Sequence, residues 1–266
     1  RAHPQFPGHD FVVMRLHTAT IIATTQVRPG VQLIELHAPN LAQTVLPGQF
    51  CMVRCSPSDA SDPLLRHPFY IHSLNRSRGT CTLYIHIQGR GTTWLAQQQE
   101  GVALDILGPL GHGWTLRPTT RNALLLGEER QISALILLAQ IALEQDIAVT
   151  LINQSRTPED SYPPALLSPE IEYHVVTEEQ NENLIQILSE TLPWADAAYC
   201  SVSRETSLAL YTRFERMRGK NFAQGTLVRL LACGTGICFA CSVETRVGQK
   251  LVCRDGPVFD LRDIVR

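Results

Sequence analysis

No apolar run approaches the ~18 residues that a membrane-spanning helix needs. The longest, around residues 134–139, has the length of a core helix. Basic residues are not in excess: 23 Lys and Arg stand against 25 Asp and Glu, for a formal net charge of −2. A nucleic-acid binder would usually show a basic stripe, so that class is disfavoured. Internal repeats and low-complexity tracts are absent. Ser201 and Ser203 lack a G-x-S-x-G elbow, which leaves hydrolase chemistry without support. Asp59, Asp62, Glu128 and Glu129 form no acid–base pair, so no catalytic side chain is expected. His3, His9 and His17 are not at metal-ligand spacing. Residues 1–10 have no apolar leader core and read as a mature or truncated, mobile end. No address signal is visible, which makes the cytoplasm the default expectation. What is present is 266 residues, 44% of them hydrophobic. That is too apolar for wholesale disorder and long enough for two domains or one large one. The unusual count is eight cysteines.

Four of the eight are packed into one stretch, Cys233-x4-Cys238-x2-Cys241-x11-Cys253. Three chemistries compete for such a set. Disulfides suit a small secreted domain, which this chain does not resemble in size. Structural zinc usually takes two C-x2-C knuckles. The C-x4-C-x2-C…C order is the plant-type [2Fe–2S] arrangement, and it fits best. The residues between the first two ligands, Gly234-Thr235-Gly236-Ile237, supply glycines that let the backbone curl and aim amide N–H groups at sulfur. Cys51, Cys55, Cys81 and Cys200 lack a spaced set and read as small buried hydrophobes. Trp94, Trp114 and Trp194 read as core or rim aromatics.

From residue 11 to about 114 the pattern is one of strands and turns. Strands are expected at 18–27, 31–36, 50–55, 80–87 and 102–107, with a short helix at 92–99 and turns at Pro29-Gly30 and Pro47-Gly48. Residues 80–87 alternate polar and apolar, as a half-buried strand does. Many short strands with turn signals suggest a small β-barrel. From 121 to about 221 strands (123–126, 147–152, 173–176, 197–202) alternate with helices (132–145, 183–192, 208–217), which implies a parallel α/β sheet. The connection 153–169 carries four prolines and reads as a surface loop. From Gly225 onward the cysteine-rich tail is expected to form its own small unit. The domains expected are a β-barrel at 11–117, an α/β domain at 118–222 and a cluster-binding tail at 223–266.

Several runs occur in a telling order: Pro47-Gly48-Gln49-Phe50, Arg66-His67-Pro68-Phe69-Tyr70-Ile71, Gly89-Arg90-Gly91-Thr92, Gly108-Pro109-Leu110-Gly111, and Cys253-Arg254-Asp255-Gly256-Pro257-Val258-Phe259. Over about residues 11–262 the chain resembles the ferredoxin-reductase family. More narrowly it resembles the iron–sulfur electron-transfer subunits of heteromeric dihydroorotate dehydrogenases. The resemblance implies an FAD-binding barrel, a Rossmann-like parallel-sheet domain and a small C-terminal [2Fe–2S] domain. It implies FAD contacts from His67, Pro68, Phe69, Tyr70, Tyr84, Ile85, His86, Gly91 and Thr92, and cluster ligation by Cys233, Cys238, Cys241 and Cys253. It further implies a flavoprotein partner in a hetero-oligomer, a role in pyrimidine biosynthesis, and electron transfer as a component of an oxidoreductase. A subunit that keeps the fold and the cluster without flavin is the alternative, and an NAD-linked reductase with a divergent phosphate loop is a further one.

The sequence also departs from that family. The Arg and Ser of its flavin motif are His67 and Tyr70, and another Arg is His86. Arginine is always charged and bidentate towards phosphate, whereas histidine near pH 7 is mostly neutral. Arg66 and Arg90 lie close enough in sequence to be candidate substitutes. The glycine-rich dinucleotide turn has become Gly127-Glu128-Glu129-Arg130-Gln131, with two carboxylates where phosphates would sit. The family's Cys-Gly-Pro near the nicotinamide is here Cys200-Ser201-Val202. These losses predict an α/β domain that keeps its shape without binding NAD(H).

Overall fold

The computed structural model describes residues 14–177 and 181–265. His3, His9 and the rest of the N-terminal stretch lie outside the described residues. The first half is strand-rich, because β-branched and apolar residues alternate between turns. In chain order it comprises β1 (Arg15–Arg28), β2 (Val31–His37), α1 (Pro39–Thr44), β3 (Phe50–Val53), β4 (His67–Tyr70), β5 (Ser73–Asn75), β6 (Thr80–His86), α2 (Arg90–Ala96) and β7 (Ala103–Leu110). Among the described residues seven strands form one sheet in the order β4-β3-β7-β1-β2-β6-β5. The edge strands β4 and β5 are separated by only Ile71 and His72, and the His72 N–H donates to Thr82 O of β6 at 2.9 Å. The chain therefore crosses from one edge of the sheet to the other, which curls it into a barrel and protects its edges. Ile34, Leu36, Cys51, Val53, Cys81, Leu83 and Ile85 fill the interior. Cys51, Cys55, Cys81 and Cys200 are all buried, as their isolation in sequence suggests.

The second half comprises β8 (Asn122–Glu128), α3 (Ser133–Glu144), β9 (Ala148–Ser155), β10 (Glu172–Thr177), α4 (Asn181–Thr191), β11 (Ala197–Ser201), α5 (Arg204–Arg213) and β12 (Ala223–Thr226). A hairpin of β13 (Ser242–Thr245) and β14 (Gly248–Leu251) follows, then α6 (Val252–Asp255), β15 (Val258–Asp260) and α7 (Leu261–Ile264). The larger sheet runs β10-β9-β8-β11-β12-β15. Its first five strands are parallel, and β15 joins antiparallel to β12. β8 is buried from Ala123 to Gly127, as a central parallel strand must be. The strand order reverses between β8 and its two neighbours, so the crevice beyond the C-terminal ends of β8 and β11 is where such a fold takes a ligand.

Two differences from the sequence expectations bear on function. The tail is stitched into the α/β sheet: β12 precedes the cysteines, β15 follows them, and the two pair. Residues 153–169 are not a simple surface loop, because Tyr162 within them is 1% exposed. α3 is apolar over most of its surface because two of its faces are covered, with only Gln140 and Glu144 on a polar edge. Leu137 and Ile141 enter the barrel core, while Leu135, Leu138 and Ala142 pack on the α/β sheet. This helix welds the two halves together.

Candidate cluster and flavin sites

The cysteine loop sits on the barrel. Gly234 and Gly236 have φ of +73° and +82°, the left-handed region that glycine enters without strain. A Cβ on Gly234 would lie 2.7 Å from Met52 Cγ, so the loop rests directly on β3. Curled this way, the loop aims amides at sulfur. The Gly236 N–H donates to Cys253 Sγ at 3.2 Å, Thr235 N–H to Cys233 Sγ at 3.4 Å, and Cys253 N–H to Cys241 Sγ at 3.5 Å. Such bonds stabilise negative charge on sulfur and tune a cluster's potential.

The four thiols fall into two pairs. Cys241 Sγ and Cys253 Sγ are 3.3 Å apart. Cys233 has Thr235 and Cys238 as its neighbours. Burial raises the Cys233 thiol pKa, but bonds from Thr235 and Cys238 outweigh it and hold that pKa well below the usual thiol range. Burial, then the neighbouring Cys241, pushes Cys253 up. Among the described residues no three metal-type side chains converge on one point. Four thiols gathered around one loop fit a [2Fe–2S] cluster, which they would hold as thiolates. Cys241 and Cys253 are buried, Cys233 is half-buried and Cys238 is exposed.

The floor under the buried pair is the barrel. Cys241 and Cys253 share a core with Phe50, Met52, Leu110, Val243 and Leu251, and Tyr70 packs against it. Tyr70 ends β4, the strand to which the resemblance assigns flavin contacts.

On that strand His67 lies against the start of α2, where a Cβ on Gly91 would come 2.7 Å from His67 Nε2. On β6 the Tyr84 and His86 rings meet edge-on at 5.3 Å. Three buried atoms on these strands have no partner: His67 Nδ1, Tyr84 OH and His86 Nε2. Unpaired buried polar atoms are costly, so their concentration here fits a ligand that offers hydrogen-bonding groups. Other sequence-predicted residues face elsewhere. Ile85 is fully buried in the barrel core and Phe69 packs against that core. Pro68 is exposed. The Thr92 hydroxyl accepts from Gln88 N–H at 2.9 Å and Gly89 N–H at 3.1 Å, which braces its own loop. Arg66 and Arg90 are both engaged: Arg66 bonds Asp105 O at 2.8 Å and pairs with its carboxylate, and Arg90 pairs with Asp62.

The seam between the barrel and the α/β half holds a group that the sequence did not announce. The Tyr162 hydroxyl meets His72 Nε2 at 2.8 Å, and its ring lies 5.4 Å from that of Tyr84. Burial drives the His72 imidazole pKa down to about 4. His86 is also lowered to about 4, by burial and then by the nearby Arg130 and Arg28. A tyrosine inside a Pro- and Ser-rich run is the one local signal that this connection is anchored.

Across the switch-point crevice stands Glu128, the last residue of β8. Its carboxylate accepts the Ser203 N–H at 2.7 Å and the Thr206 hydroxyl. Ser203 caps α5, accepting the Thr206 N–H at 3.1 Å. The carboxylate thus ties the end of β8 to the helix that follows β11. Glu129, with φ of +24°, pairs with Arg156 at 2.9 Å. At the N-terminus of α5 the Ser203 and Thr206 amides, which could otherwise face an anion, are thus already met by side chains.

Comparison with known proteins agrees with this layout. The profile of the iron–sulfur cluster binding domain of dihydroorotate dehydrogenase B matches residues 229–265, the stretch holding all four paired cysteines. A solved NADH-dependent reduced ferredoxin–NADP oxidoreductase shares the fold at a TM-score of 0.78 and 20% identity, over 92% of this chain and 89% of that one. A ferredoxin reductase of carbazole 1,9a-dioxygenase shares it at 0.61 and 21%, over 72% and 62%. The fold is therefore that of the ferredoxin reductases, extended by an iron–sulfur domain. The electron transfer subunit of dihydroorotate dehydrogenase B (NAD(+)) from Geobacillus kaustophilus is 30% identical over 228 residues, 82% of this chain and 86% of the relative. That from Desulforamulus reducens is 26% identical over 261 residues, 94% and 98%. The chain belongs to the family of dihydroorotate dehydrogenase B electron transfer subunits.

Proposed function

We propose that this subunit relays electrons between FAD held on the barrel and a [2Fe–2S] cluster held by Cys233, Cys238, Cys241 and Cys253, without using NAD(H) itself. The carrying observation is the common wall: Tyr70, at the end of the flavin strand, packs into the core that holds Cys241 and Cys253. FAD, when bound, supplies the exchange between two-electron and one-electron transfer that a single-electron cluster requires. The chain's own residues do the rest. β4 and β6 present His67, Tyr84 and His86 as unpaired hydrogen-bonding atoms. β3 and β7 keep water out of the wall through Phe50, Met52 and Leu110, all buried. The glycine turns aim amides at the cysteine sulfurs.

Loss of NAD(H) use is supported by Glu128, whose carboxylate crosses the crevice where a dinucleotide's pyrophosphate would approach. Electrons then come from, or go to, another protein. The partner is a flavoprotein that oxidises dihydroorotate, in a hetero-oligomer serving pyrimidine biosynthesis. Val228, Leu230, Ile237 and Phe239 are exposed apolar residues around the cysteine loop and fit a partner surface there. Eight cysteines without a disulfide suit a reducing cytoplasm, and no helix among the described residues is long and apolar enough to cross a membrane. The domains would divide at about residues 117 and 222.

Iron, sulfide and flavin analysis of one preparation tests the reading. Equal amounts of iron and acid-labile sulfide, with released FAD, are expected. Cluster without flavin would instead support a structural or assembly subunit. Zinc in a sample that stays EPR-silent after dithionite would overturn the cluster assignment.

A further inference from the structure

The flavin reading leaves a charge deficit. The diphosphate of FAD is anionic, yet β4 and β6 carry histidines where the family has arginines. The two nearby barrel cations, Arg66 and Arg90, already face Asp105 and Asp62. The α/β half brings other cations to the same place. His86 is the register partner of Val31. Val31 and Tyr84 share a core cluster with Ile132, which ends the 3-10 turn Glu129–Ile132. The link to the flavin strand runs through Tyr162: its ring lies 5.4 Å from that of Tyr84, its N–H donates to Asn153 Oδ1 at 2.6 Å, and Asn153 Nδ2 donates to Gly127 O at 3.1 Å, at the start of the turn that replaced the glycine-rich loop.

Four charged groups face His86 there: Arg130 and Glu129 from the turn, Arg28 from β1, and Asp160 from the connection after β9. Three of them are engaged. Glu129 pairs with Arg156 at 2.9 Å. Arg28 donates to the main-chain oxygens of Glu159 and Ser161. Asp160 accepts the Thr157 hydroxyl at 3.2 Å. The Arg130 side chain is exposed and has no ion pair or hydrogen bond among the described residues. A guanidinium is suited to phosphate by its planar fork of donors and permanent charge.

We infer that Arg130 supplies the flavin diphosphate with an unengaged guanidinium, where Arg28, Arg66 and Arg90 of the barrel are already bonded, reaching it across the seam beside His86. The inference rests on the flavin reading above. It gives the altered loop two effects at once: Glu128 closes the dinucleotide crevice, and Arg130 turns a cation towards the other cofactor. The His86 imidazole, half-buried beside two guanidiniums, stays neutral near pH 7 and can offer a hydrogen bond but no charge.

The test is flavin affinity in the full-length, cluster-containing protein, stripped of flavin and titrated with FAD or riboflavin by fluorescence quenching. Riboflavin has no phosphate. Arg130→Gln is expected to weaken FAD about tenfold, the size of one charge-assisted hydrogen bond. Riboflavin affinity and cluster absorbance should not change. Adding His86→Arg to the Arg130→Gln protein should recover most of the lost affinity. Unchanged FAD affinity in Arg130→Gln overturns the inference, as does equal weakening of FAD and riboflavin. A wild-type protein that binds neither flavin overturns the flavin reading itself, which is a distinguishable failure.

Discussion

Replacing Glu128 with Ala should destabilise the α/β half by a measurable amount. In the native chain the carboxylate takes the Ser203 N–H at 2.7 Å and the Thr206 hydroxyl at the first turn of α5. Hydrogen bonds to a charged group contribute roughly 1.5–3 kcal/mol each, and the values at half-buried sites fall at the low end. An anionic group beside a helix N-terminus adds about 0.5 kcal/mol. Water entering the vacated crevice compensates part of this, leaving a net loss of about 2 kcal/mol. For a chain of this size that lowers the melting temperature by roughly 5 °C. Thermal unfolding followed by circular dichroism reads it directly. Glu128→Gln keeps one acceptor oxygen and should fall between the two. Thr206→Val should be strongly non-additive with Glu128→Ala, because the two changes remove the same bond. If Glu128→Ala melts within about 1 °C of wild type, the carboxylate is not holding the crevice and the reasoning fails.

Three further outcomes are expected. His72 and His86 titrate near pH 4 when folded, against about 6.5 when unfolded. The unfolded state therefore takes up their protons first, and stability falls as pH drops from about 6.5 towards 4, by roughly 1 kcal/mol per histidine at pH 5.5. Urea melts at pH 7.5 and 5.5 should show a smaller difference in His72→Gln than in wild type; an equal difference removes the claim for His72. Gly234→Ala places a Cβ against Met52 at a left-handed position, and should lower iron per chain while leaving the barrel folded. Full iron loading of that variant would contradict the curled-loop geometry. Tyr162→Phe leaves His72 Nε2 without its partner and should cost about 1–2 kcal/mol, read from denaturant midpoints.

Much of the architecture is legible along the chain because it depends on short-range pattern. The strand expected at 80–87 became β6, though it is buried on both faces rather than half-buried because Tyr84 is covered as well as the barrel-core side chains, and the cysteine spacing fell within the cluster-domain match at 229–265. Helix α3 was visible as an apolar stretch, but its two partners were not, since a wide apolar surface does not say what covers each face. The helix expected at 208–217 starts earlier, at Arg204, because Ser203 and Thr206 form a cap that outweighs the weak apolar periodicity after them. β15 is only three residues long, and its pairing with β12 is a long-range event that no local pattern encodes. The flavin strands illustrate the same limit. Sequence located β6 and marked 67–70 as a motif but not as the strand β4, and only packing revealed that Ile85 faces the core and that Arg66 and Arg90 are already paired. The substitution of glutamate for glycine at 128 was plain in the sequence. That its carboxylate reaches the helix after β11 was not, because the partners lie 75 residues away.

The central claim is an electron relay between flavin and cluster from which NAD(H) has been excluded. One anaerobic titration of the flavin- and cluster-loaded protein tests it most directly, with NADH added first and dithionite second, followed by visible absorption. The account predicts no bleaching of either chromophore by NADH and full bleaching of both by dithionite. Bleaching by micromolar NADH would contradict it.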